Sequence, residues 1–139
     1  MEFFIRPFKE RDIRGLNEIR RMRGVRETIP ALASESLEFT EAVAKAVPVA
    51  APNLSAVVRE NGTEILIGNA LLRLCEKPKM RHTASLAIVV HTEYQNMGIG
   101  RALHLYESLG FEREGLLRRA YTEGGRYGNI VVMARLREA

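Results

Sequence analysis

The apolar run Leu86-Ala87-Ile88-Val89-Val90 leads within five residues into Gln95-Asn96-Met97-Gly98-Ile99-Gly100-Arg101-Ala102-Leu103. This reads as a strand, a glycine loop and the start of a helix. Its loop aims several backbone N–H groups and a helix N-terminus at one spot, which suits a phosphate group. Gly98 and Gly100 let the backbone approach an anion with no Cβ in the way. A Walker A loop would end in Gly-Lys-Ser/Thr, but Arg101 and Ala102 follow Gly100. A dinucleotide fingerprint would need a third glycine where Leu103 stands.

The other elements follow from pattern. Phe3 to Phe8 reads as a first strand closed around Pro7. Ile13, Leu16, Ile19 and Met22 recur at helical spacing, predicting an amphipathic helix that ends near Gly24. Thr28 to Ala33 is a loop. Ser34 is the expected N-cap of a second helix, with Glu35 and Glu38 in its first turn and Pro48 as its stop. Leu54–Arg59 and Glu64–Cys75 are expected strands around an Asn61-Gly62 hairpin turn. Ala84–His91 is the next strand. Glu114–Tyr121 and Tyr127–Leu136 flank Glu123-Gly124-Gly125 as a last hairpin.

At 139 residues the chain is expected to form one domain, residues 1–139, with a real core. Its apolar share of 46% and charged share of 27% are ordinary for a globular protein. No apolar run can span a bilayer, and Met1 to Arg6 is no signal peptide, so a cytoplasmic protein without a membrane partner is the expectation. The single Cys75 allows no internal disulfide, and no Cys/His cluster points to a metal. The net charge of +4 is spread along the chain, and aromatics make up 6%, which argues against nucleic-acid binding.

The pattern Gln95-x-x-Gly98-x-Gly100 resembles the pyrophosphate loop of the GNAT superfamily of acetyl-CoA-dependent N-acetyltransferases. Leu105-Tyr106-Glu107-Ser108-Leu109-Gly110-Phe111, ending at Gly115, is similar to a segment late in that family. Locally, Gly110 suits a left-handed helix C′ position with Phe111 folded back on the last turn. Thr28-Ile29-Pro30, Ser34, Lys77-Pro78, Arg81-His82 and Tyr127 to Leu136 are most similar to bacterial L-amino acid N-acetyltransferases. The resemblance implies an α+β fold of three layers: a mostly antiparallel mixed central sheet with helices on both faces.

One departure stands out. The family places a long helix and a parallel strand between the glycine loop and the tyrosine motif, yet here Leu103 is followed at once by His104-Leu105-Tyr106. A parallel crossover needs a dozen residues or more. The resemblance therefore implies an internal deletion between Leu103 and His104. A shortening by design or mutation, a segment missing between the flanks, and a natural short variant all remain open. Read as one helix from Gly98, the chain would carry Tyr106 about 12 Å along the axis, at about 1.5 Å per residue.

By resemblance, acetyl-CoA is the co-substrate, and Gln95, Asn96, Met97, Gly98, Ile99, Gly100 and Arg101 hold its pyrophosphate. Val90 would offer its backbone N–H to the thioester carbonyl, and Tyr106 would be the acid that protonates the leaving thiolate. The acceptor would be a primary amine of a small molecule, such as an amino acid, attacking directly in a ternary complex. His82, His91, Glu76 and Glu93 are open as bases. A CoA-binding but catalytically impaired domain is the alternative. An unpaired central strand edge would invite a homodimer.

Overall fold

The computed structural model describes residues 2–26, 32–48, 51–95 and 106–137. They fall into two compact units, Met1–Glu93 and Tyr94–Ala139. The first holds a four-stranded sheet in the order β1-β2-β3-β4, formed by Phe3–Pro7, Asn53–Glu60, Thr63–Leu74 and Ala84–Val90. Each pairing is antiparallel. The second holds a two-stranded antiparallel sheet of β5 (Glu112–Glu123) and β6 (Arg126–Ala134). Among the described residues no strand pairs in parallel. The mixed α+β, mostly antiparallel architecture expected from the sequence is what these residues build.

The turns are encoded locally. Asn61 and Gly62 adopt φ of 48° and 78°, the left-handed pair of a type I′ turn, and pin β2 to β3. Gly124 and Gly125, at 54° and 75°, do the same for β5 and β6. A bulge between Ala56 and Val57 interrupts the β2–β3 register.

Helix α1 (Ile13–Arg21) turns Ile13 and Ile19 inward. Ile19 packs with Val25 of the short helix α2 (Arg23–Arg26), and with Val57, Leu66 and Val89 from three strands. Phe4, Leu16 and Met22 close around this cluster. The amphipathic spacing read in the sequence therefore marks the core face, although extended Met22 ends α1 before Gly24, which lies inside α2. Gly15 lets the helix approach the sheet, since a Cβ there would lie 3.0 Å from Leu66 Cβ.

Helix α3 (Leu37–Lys45) corrects one expectation: its N-cap is Ser36, whose hydroxyl accepts from the Phe39 amide, rather than Ser34. Tertiary pairing explains the shift. Glu35 is drawn out of the helix by Arg20, whose Nε and Nη2 donate to its two oxygens at 2.6 and 3.1 Å. The Thr40 hydroxyl also donates to Glu35. Asn17 of α1 ties the same corner, donating to the carbonyls of Glu35 and Ser36 and to Thr40 Oγ1.

Beneath α1 lies a buried ion pair. Arg6 of β1 donates from both Nη atoms to the Asp12 carboxylate, at 2.7 and 2.8 Å. Asp12, 4% exposed, also accepts from the Lys9 amide and the Ser55 hydroxyl. Burial pushes the Asp12 carboxyl up, but Arg6, Lys9 and Ser55 together hold it below the usual carboxylate range. No buried side-chain polar atom among the described residues lacks a partner.

Candidate cofactor site

The candidate site starts at the C-terminal end of β4. Val90 stands opposite Gly68 of β3. The next amide, His91 N–H, donates to the Ile67 carbonyl at 2.8 Å. In an antiparallel ladder this makes Val90 and Gly68 a non-hydrogen-bonded pair, so the N–H of Val90 points away from β3. Gly68 allows the strands to close here, because a Cβ on it would lie 3.2 Å from the Val89 carbonyl oxygen.

Past Val90 the chain makes a 3-10 turn over Thr92–Tyr94 and reaches Gln95. The other predicted loop residues, Asn96, Met97, Gly98, Ile99, Gly100 and Arg101, lie outside the described residues, as does the Leu103–His104 junction. Val90 belongs to the first unit, and Gln95 and Tyr106 to the second.

Among the candidate bases, His91 accepts the Glu93 amide N–H on Nδ1 at 3.2 Å. Glu76, His82 and Glu93 are exposed. No base stands out among them.

Tyr106 sits in a helical turn, residues 106–108, closed by a two-bond cap. The Phe111 amide donates to the Tyr106 carbonyl at 2.9 Å, and the Gly110 amide to the Glu107 carbonyl at 3.0 Å. Gly110 has φ of 85°, the left-handed value such a cap requires. The Tyr106 and Phe111 rings meet edge to face, with centroids 5.4 Å apart. Phe111 thus folds back on the last turn, as the sequence predicts. Tyr106 is half-buried, and burial raises its phenol above the ordinary value. The group stays protonated at neutral pH and holds a proton to give, though a thiolate must pull harder for it than for that of a free phenol.

Sequence reasoning named Val90 by resemblance, but the direction of its amide depends on the pairing with Gly68, 22 positions away. It missed the engagement of His91, although that contact spans only two residues.

No protein-family model matches the sequence, and comparison with curated proteins finds no match. Solved structures do match. YncA of Salmonella typhimurium, described as an acetyltransferase and solved with its cofactor acetyl-CoA, superposes with a TM-score of 0.81 at 19% identity. The match covers 100% of this chain and 96% of that one. A GNAT-superfamily phosphinothricin acetyltransferase from Sinorhizobium meliloti, in complex with acetyl-CoA, gives 0.79 at 20% identity over 96% and 87% of the two chains. A GNAT-family acetyltransferase from Streptococcus pneumoniae gives 0.72 at 22% identity over 95% and 98%. The chain has the fold of the GNAT-superfamily acetyltransferases. Among its described residues no helix is long and apolar enough to cross a membrane.

Proposed function

We propose that this chain is an N-acetyltransferase, moving an acetyl group from acetyl-CoA to a primary amine of a small molecule such as an amino acid. The observation that carries this reading is the superposition on two acetyltransferases solved with acetyl-CoA. Val90, at the C-terminal end of β4, is the residue whose backbone the resemblance assigns to the thioester carbonyl.

Acetyl-CoA supplies the activated acetyl group. The amides from Gln95 to Arg101 hold its pyrophosphate, with the loop glycines keeping the backbone clear. The N–H of Val90 draws charge from the thioester oxygen as the neutral amine nitrogen bonds to the carbonyl carbon. The carbon–sulfur bond breaks, the amine proton passes to solvent, and Tyr106 returns a proton to the sulfur.

The short junction at Leu103–His104 favours a second reading, a CoA-binding domain without turnover. Thermal unfolding with and without acetyl-CoA tests the shared part. At about 100 times the dissociation constant the cofactor should stabilise the fold by about 2.7 kcal/mol. Thiol release with a panel of amines then separates the readings. Turnover that drops at least tenfold in Tyr106→Phe supports acetyl transfer with Tyr106 as acid. Stabilisation without turnover supports the binding domain, and no stabilisation sinks both.

A further inference from the structure

Counted by segment, the net charge of +4 is concentrated rather than spread. Residues 1–72 hold ten basic and ten acidic side chains, and residues 83–139 hold seven and six. The ten residues from Arg73 to His82 hold four basic groups, Arg73, Lys77, Lys79 and Arg81, against one acid, Glu76. Three of the four surplus charges therefore fall in one segment.

That segment closes the turn from β3 to β4, and every residue from Glu76 to His82 is exposed. Hydrogen bonds brace the turn. The Cys75 amide donates to the Thr83 carbonyl, the Met80 amide to the Lys77 carbonyl, and the Thr83 amide and hydroxyl both to the Met80 carbonyl. None of the four cations pairs with a carboxylate among the described residues. Leu74 and Met80, interleaved with them in sequence, are 57% and 45% exposed. The turn stands at the start of β4, whose seven residues put it about 20 Å from Val90, at about 3.3 Å per residue.

We propose that this turn docks on an anionic bilayer surface, with the four cations at the lipid headgroups and Leu74 and Met80 reaching the acyl boundary. The chemistry favours a bilayer over nucleic acid. No aromatic residue lies between Arg73 and His91, so bases find no stacking platform. A phosphate backbone would reward the cations and leave Leu74 and Met80 nothing to bury against. A standard protein interface draws about 20–30 residues a side into one matched surface. This turn offers ten, and a lipid surface needs no matched shape. The contact is peripheral and requires no spanning helix. It does not rest on the acyl-transfer reading.

Co-sedimentation of the full chain with phosphatidylserine–phosphatidylcholine vesicles tests the proposal, with pure phosphatidylcholine vesicles and a DNA duplex, read by fluorescence anisotropy, as parallel arms. Binding to the anionic vesicles is expected, weakening as salt rises, with none to the pure phosphatidylcholine. Lys77→Gln and Lys79→Gln should each lower the partition coefficient about fivefold. Leu74→Ser and Met80→Ser should each lower it at least threefold at unchanged charge. Arg14→Gln removes the same charge beside the β2–β3 turn, at the other end of β3, and should change it less than twofold. The unfolding temperature should move little in all five variants, because each residue is exposed. Any of four results overturns the proposal: no binding to anionic vesicles at low salt, equal losses in Arg14→Gln and the lysine variants, no loss in either serine variant, or tighter binding to the duplex than to the vesicles. The last would assign the turn to a nucleic-acid backbone.

Discussion

The four-stranded sheet and the C-terminal hairpin are both antiparallel and both closed by left-handed turns, yet they are held in different ways. In the first unit Ile19, Val25, Val57 and Ile67 are at most 2% exposed, and helices cover the sheet. In the second, none of the described residues from 106 to 137 is buried. Leu116, Leu117, Ile130, Val131 and Val132 are all exposed. Neighbours on a strand point to opposite faces, so these runs make both faces of the hairpin apolar. A two-stranded sheet is marginal without further packing. The contrast shows that turn chemistry suffices to define a hairpin, whereas a core requires long-range partners.

The largest expected effect comes from breaking the buried pair of the first unit. Asp12→Asn leaves Arg6 with a buried, half-matched charge and should cost about 3–5 kcal/mol, read by urea unfolding. Its pH dependence carries a sign. The folded carboxyl titrates below its ordinary 3.8, so its stabilisation is complete above that value and disappears as pH falls through the lower folded pKa. The variant should lack that part of the acid limb. Ile19→Ala should cost about 3 kcal/mol through transfer and cavity terms. Gly15→Ala sets about 1 kcal/mol of helix propensity against a contact that Leu66 Cβ cannot yield, and unfolding should show a net loss of about 1 kcal/mol. In the hairpin, Gly125→Ala should cost about 1 kcal/mol, because φ of 75° strains any Cβ, and amide exchange in β5 and β6 should report it. Smallest of all, Leu117→Ala should change stability by under about 0.5 kcal/mol. A loss as large as that of Ile19→Ala would erase the distinction between the two units.

What the sequence revealed tracks the range of the interactions. Asn61-Gly62, Gly124-Gly125 and Gly110-Phe111 were legible because each turn or cap is decided within a few residues. The α1 core face was legible from its period. Ser36 was not, because the choice between two nearby serines rests on Arg20 and Asn17, contributed by another helix. The cluster of Arg6, Asp12, Ser55 and Glu64 was invisible for the same reason, since Arg6 and Glu64 lie 58 positions apart. At the candidate site, the glycine loop and Tyr106 could be read as motifs. The outward amide of Val90 required the β3–β4 register.

The cap at Gly110 has a further consequence. Its two hydrogen bonds and its ring contact all begin and end between Tyr106 and Phe111. These contacts close within a knot of six residues. Residues added or removed before Tyr106 change where the knot is carried, but not how it is tied. A lineage could therefore cut and rejoin the chain upstream while handing on the same tyrosine in the same local setting.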